Sequence, residues 1–161
     1  MSSGFLFDSQ NFINDSLKPL FYDDRKYEKS EIFLPNKRPI ETIFVSFNEI
    51  KDSLKPGDIL EFKYPLFNHW AIFLGIYNCF YIVIHFRVVN PAPSMKHDIF
   101  IEPINTRNKV RINNINDHDV NRRLRSADEI RKLALERLEH HKKYNIITYN
   151  CKHFVNDLRY Y

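Results

Sequence analysis

Cysteine is scarce in this chain of 161 residues, which has only Cys79 and Cys151. With so few, and with no paired metal-ligand spacing around them, neither a disulfide-rich secreted scaffold nor a zinc-type site is supported, and a reducing, cytoplasmic setting is expected. One pairing, Cys79 with Cys151, stays open. The first residues, Met1-Ser2-Ser3-Gly4, lack the basic and apolar regions of a secretory leader. A long apolar run is also missing. The longest stretch without Lys, Arg, Asp or Glu, from Tyr64 to Phe86, is interrupted by Pro65, Asn68, His69, Gly75 and Asn78. It falls short of the roughly 20 consecutive apolar residues of a spanning helix and is expected to form paired strands. There is no internal repeat. Nor is there a strong excess of one charge: a net +4 and a pI near 9.0 permit contact with an acidic surface without demanding it. No basic-aromatic motif of a recognised RNA module is present, so nucleic acid is not an expected partner.

What the chain does have is apolar and aromatic residues, 43% and 15% of the total, enough for one domain with a real core. Residues 1–41 mix aromatics with Asp, Asn, Lys and Pro without a sustained period. They read as an irregular extension with one short helix near Gln10 to Leu17, whose Phe5, Phe7, Phe12, Phe21 and Tyr22 pack onto the core. The compact domain is expected over residues 42–161. An apolar-rich segment, Thr42 to Leu54, meets a Pro56-Gly57 turn. Strand-like runs follow at Ile59 to Lys63, Trp70 to Leu74 and Phe80 to Arg87, an antiparallel meander, and then at Asp98 to Glu102 and Lys109 to Asn113. Asn90 to Ser94 reads as a loop. Ser126-Ala127-Asp128-Glu129 is a capping box, and Ile130, Leu133, Ala134 and Leu138 continue it at helical spacing towards His140-His141-Lys142-Lys143.

The last helix carries the candidate chemistry. Phe154, Val155 and Leu158 lie three, four and seven residues beyond Cys151, one buried helix face with the sulfur at its first turn. A thiol there feels the positive end of the backbone dipole, which favours the thiolate. As a lone residue, Cys151 is more often a small buried hydrophobe. A cysteine nucleophile needs a base and a group that orients the base. His69 begins the Trp70 to Leu74 strand and His85 sits inside the next, so a hairpin turning near Tyr77-Asn78 brings the two side by side and permits a Cys-His-His set. Taken singly, each is more often a core or surface histidine. His97, His118, His140, His141 and His153 stand among charges and read as solvated.

Three segments, Pro56-Gly57-Asp58-Ile59-Leu60-Glu61-Phe62, His69-Trp70-Ala71-Ile72-Phe73-Leu74-Gly75 and Asn150-Cys151-Lys152-His153-Phe154-Val155, resemble the lecithin retinol acyltransferase family in order and approximate spacing. Val110 to Asn114 with Asp117, the helix from Ser126 and the ending Asn156 to Tyr160 look closest to its phospholipase A and acyltransferase branch. The resemblance implies an α+β, circularly permuted papain-like fold of the NlpC type. In it an antiparallel sheet carries the histidines and a C-terminal helix carries the nucleophile. By position, it implies Cys151 as nucleophile, His69 as base and His85 as the group orienting that base. It implies attack on an acyl ester of a glycerophospholipid through a thioester, without metal or organic cofactor. Membrane-anchored relatives carry a hydrophobic C-terminal tail, whereas this sequence ends at Tyr161. Lipid access is therefore expected to be peripheral, aided by Arg122, Arg123 and Arg125, although such a run is more often a solvated loop.

Three departures stand out: the long His69 to His85 interval, Phe67 where the family often has tyrosine, and Lys152 for the usual glutamate. The first two favour a rival reading, an interaction protein that keeps the fold without catalysis, as in picornavirus proteins with similar histidine-box and Asn-Cys elements, binding RNA or a host partner. A cysteine peptidase on the same architecture is a third.

Overall fold

The computed structural model describes residues 41–90, 96–139 and 150–161, with the backbone alone for 88–90 and 96–97. The expected helix near Gln10 to Leu17, most of the loop from Asn90 to Ser94, and His140 and His141 lie outside the described residues.

The apolar runs become strands because alternate residues find two different cores. β1 (Ile59–Lys63), β2 (Asn68–Tyr77), β3 (Phe80–Asn90), β4 (Lys96–Pro103) and β5 (Val110–Ile112) form one antiparallel sheet in the order β4-β3-β2-β1-β5. The expected meander is thus present. β5 returns to the far edge beside β1, a pairing that strand patterns alone do not specify. On one face Ile59, Trp70, Ile72, Leu74, Ile82, Ile84, Phe86, Ile99 and Ile101 are buried together with residues of the two long helices. On the other, Leu60, Phe62, Ala71, Phe73, Val83, Val110 and Ile112 pack beneath the short helix α1 (Phe47–Ile50). Both faces are buried, so β2 reads as a continuous apolar run rather than an alternating one.

The β2–β3 hairpin is longer than its most apolar residues suggested, and it turns at Asn78-Cys79, one residue beyond the expected place. Both turn residues have positive φ, 47° and 66°, as a two-residue hairpin loop requires to match the twist of its strands. Between Phe73 and Gly75 the register shifts, with Leu74 as an extra residue in β2. On the tip side of this bulge Gly75 pairs with Ile82, and on the other side Ala71 pairs with His85. The shift puts His85 on the face that carries Ala71 and His69.

α2 (Ala127–Glu139) begins with the expected capping box: the Ser126 N–H donates to Glu129 Oε2 at 2.7 Å, and the Glu129 N–H to the Ser126 hydroxyl oxygen at 3.2 Å. Its buried residues are Ile130, Ala134 and Leu135, with Leu133 and Leu138 only partly covered. α3 (Cys151–Arg159) buries Phe154, Val155 and Leu158 as its spacing predicts, and Arg159 as well. The C-terminal end of α3 is tied down by Arg125, whose Nη1 donates to the carbonyls of Asp157, Leu158 and Tyr160. Arg122 lies over the Tyr160 ring and Arg123 over the Tyr161 ring. Of the arginine run expected to face solvent or lipid, Arg122 and Arg123 are exposed as a solvated loop would be, while Arg125 caps the C-terminus of α3, where cations satisfy orphan carbonyls.

Gly57 shows why the Pro-Gly turn is fixed. Its φ is +93°, and a side-chain carbon there would meet Ile130 Cδ1 at 2.9 Å. Its carbonyl accepts from Arg159 Nη1 at 2.5 Å.

Candidate active site

Asn150, itself in an extended conformation, caps α3, its Oδ1 accepting from the N–H groups of Lys152 and His153 at 3.0 and 3.1 Å. Such a cap stabilises a helix by about 1 kcal/mol. Here it also fixes where the helix starts, and so where Cys151 sits. His153, expected to be merely solvated, completes the cap by accepting the Asn150 N–H on Nδ1 at 3.4 Å.

Hydrogen-bonded pairing between β2 and β3 stops at Ala71 and His85, so the strands part on the side towards His69. Cys151 comes in at this split, where the backbone N–H groups of Trp70 and of the helix start favour the charged form of its sulfur. The helix packs on one face of the sheet and the histidines stand on the other. The split lets them share one cavity of about 500 Å³, lined by Phe62, Tyr64, His69, His85, Glu102 and Cys151 among others. Both cysteines are free thiols, Cys151 half-buried and Cys79 exposed at the hairpin tip, so the pairing that the composition left open is not made.

His69 and His85 are joined, Nε2 of the first lying 2.8 Å from Nδ1 of the second. The Tyr64 ring meets His69 edge-on, and Phe67 stacks on Tyr64 with ring centres 5.2 Å apart. No hydrogen bond joins the Cys151 thiol to either imidazole. Such contacts often tighten only when substrate is bound.

Electrostatics at the site run against charge. Burial pushes the Cys151 thiol up despite these backbone N–H groups, so the thiolate expected from the helix start is not the resting form. Desolvation outweighs the dipole here. Burial, followed by the charge of His85, pushes His69 down from 6.5 to about 4. At neutral pH the resting pair is a thiol beside a neutral imidazole, an arrangement suited to general-base activation.

Sequence reasoning missed two residues. Glu102 Oε1 lies 2.8 Å from His85 Nε2 and 3.5 Å from Arg87 Nε, and the Arg87 guanidinium lies 3.9 Å from the centre of the Phe100 ring. The His85 contact is a close N···O approach without the geometry of a hydrogen bond. Contact with His85 holds the Glu102 carboxyl below the ordinary carboxylate range, ahead of the opposing effect of burial. Alternation along β4 puts Glu102 out of phase with the buried Ile99 and Ile101. Its place beside His85 depends on the β3–β4 register, which no local pattern reveals. Among the described residues no group of three or more His, Cys, Asp or Glu could hold a metal ion.

The sequence profile described as lecithin retinol acyltransferase matches residues 52–161. Phospholipase A and acyltransferase 4 of Homo sapiens is 28% identical to the chain over 66% of its length and 70% of that protein. Phospholipase A and acyltransferase 3 of Homo sapiens is 26% identical over the same shares, and phospholipase A and acyltransferase 5 of Mus musculus is 26% identical over 87% of the chain and 58% of that protein.

Proposed function

Because the chain belongs to the lecithin retinol acyltransferase family, we propose that it is a thiol-dependent phospholipase A and acyltransferase acting on glycerophospholipids. The reading rests above all on the shared cavity: a thiol at a helix start and a joined pair of histidines line a space with mostly apolar walls. Cys151 attacks the ester carbonyl while His69 takes its proton, and the C–O bond of the tetrahedral intermediate breaks. His69 returns the proton to the leaving lysophospholipid oxygen, and the acyl group stays on sulfur as a thioester. The Cys151 N–H is the oxyanion donor of this scheme, an interaction whose loss costs about 3–4 kcal/mol in other enzymes. Water or an amine or hydroxyl acceptor then takes the acyl group. In this scheme the fold is a permuted papain-like one, with nucleophile helix and base strand exchanged in chain order.

Access to lipid is peripheral in this reading. Among the described residues no helix is long and apolar enough to cross a membrane. The β1–β2 loop exposes Leu66 and Phe67, 94% and 62% accessible, and Phe67 lines the cavity, so a lipid tail has an apolar way in. Residues 1–41 are dispensable to the chemistry, although the Glu41 carboxylate pairs with Arg111 at 2.5 Å and its loss loosens the β5 edge. Incubation with acyl-labelled phosphatidylcholine tests the function directly. Label that becomes bound to protein and is released by hydroxylamine is expected; no bound label and no lysolipid would leave the non-catalytic interaction protein as the better account. The missing thiol–imidazole hydrogen bond is the observation that favours that account.

A further inference from the structure

Two hydrogen-bonded imidazoles can be arranged in either direction, and only one direction leaves a base for the thiol. If His85 carries its proton on Nδ1 it donates to His69 Nε2, the neutral His69 then holds its own proton on Nδ1, and no ring nitrogen can accept from Cys151. If His85 carries it on Nε2, its Nδ1 accepts from His69 Nε2–H and leaves His69 Nδ1 with a free lone pair. The joined pair, at 2.8 Å, is the same in both cases. Something outside it must choose.

We propose that Glu102 makes the choice: it is a positioning residue whose carboxylate holds the proton of His85 on Nε2 and so orients the whole His85–His69 chain towards Cys151. A carboxylate accepts and cannot donate, and Glu102 Oε1 stands 2.8 Å from His85 Nε2. His85 is 9% accessible, and although nothing among the described residues meets its Nε2 with hydrogen-bond geometry, the Glu102 carboxylate 2.8 Å away is the charge that a buried N–H there faces. Arg87 Nε reaches the same oxygen at 3.5 Å and lies against the Phe100 ring, which keeps the carboxylate ionised and in place. The groups facing His85 are therefore His69 from β2, Glu102 from β4 and Arg87 from its own strand, with Cys151 of α3 on the same cavity. The negative charge of Glu102 also supports the proton affinity of His69, against burial and the charge of His85.

This inference rests on the assignment of Cys151 and His69 as nucleophile and base, and its test does not need lipid turnover. In a Cys79→Ser background, the rate of Cys151 alkylation by iodoacetamide is followed from pH 5 to 10. Glu102→Gln keeps the shape and removes the charge. It is expected to slow alkylation at pH 7 about tenfold, equivalent to one unit of lost basicity at His69, and to move the midpoint to higher pH. Glu102→Asp, which restores the charge, should recover part of both. Nitrogen-15 spectra of the unsubstituted protein should show His85 protonated on Nε2, a readout independent of how the variants fold. A Glu102→Gln profile that matches the parent, a melting point that falls while the profile stays fixed, or a His85 proton on Nδ1 would each overturn the proposal. Absent turnover with a Glu102-dependent profile would sink the phospholipase reading and leave this one standing. Turnover with an unchanged profile would do the reverse.

Discussion

Two of the buried polar clusters among the described residues make a contrast, and both include residues of segments that resemble the family. In the first, Asp117 accepts from Arg159 Nε and Nη2 at 2.9 and 2.6 Å and from the Tyr160 hydroxyl at 2.6 Å. Asp58 accepts from Asn114 Nδ2 and from the Lys55 N–H at 2.9 and 2.8 Å. Burial alone would lower the Arg159 guanidinium, but its bonds and charge interactions with Asp117 outweigh that and raise it. Asp117 meets the Arg159 guanidinium directly, while Asp58 accepts from neutral amides. The second cluster is the reverse. Its thiol and its first histidine are both pushed towards neutrality, two buried donors converge on one carboxylate oxygen, and open space lies next to them. Likeness to a family marks both clusters equally. Incomplete satisfaction beside a cavity separates the cluster proposed to do chemistry from the one that holds the chain together.

The contrast can be broken by substitution. Cys151→Ser should cut acyl transfer at least ~10³-fold, because a hydroxyl is a far weaker nucleophile at neutral pH, with the urea midpoint unmoved. A serine variant that still forms acyl-enzyme would remove the second cluster from the chemistry. Arg159→Met should act the other way. It leaves the half-buried Asp117 carboxylate without its counter-charge, costs about 3 kcal/mol in urea unfolding, and leaves the alkylation rate of the folded fraction at its parental value. A lower rate there would mean that the two clusters are coupled.

A smaller effect sharpens the comparison through pH. His69 is held near 4 in the folded protein against 6.5 ordinarily, so between these values the unfolded chain binds the proton first. Stability from this group is whole above about pH 7 and falls as the pH drops towards 4, by up to ~3 kcal/mol. His69→Gln should flatten that part of the stability profile. An unchanged slope would show that His69 titrates normally.

Much of this was legible in the chain before folding. The apolar runs gave the strands, Ser126 and Glu129 gave the start of α2, and the stripe from Phe154 to Leu158 gave α3, because periodicity and capping are local. Strand lengths were underestimated where polar residues such as Asn68 join a ladder whose apolar centre alone is conspicuous. The position of β5 beside β1 and the service of Arg125 to α3 are contacts between distant segments and leave no local trace. In the site, Cys151, His69 and His85 stood out by residue type and by likeness to the family. Glu102 did not, since a glutamate in a half-buried strand looks like any other solvent-facing residue until the register is known.

That register has a consequence for the long interval between the histidines. What places His85 beside His69 is the count of residues modulo two, reset once by the extra Leu74. Without that residue, pairing from the Asn78-Cys79 turn would set His85 opposite Ile72, in the helix-side core. Removing one residue from each strand between the bulge and the tip shortens the hairpin and leaves the histidines facing as before, whereas removing Leu74 alone inverts one of them. Hairpin length in such a fold is thus free to drift across homologues in even steps, and spacing between the two histidines is a poor yardstick for whether a distant sequence keeps its site.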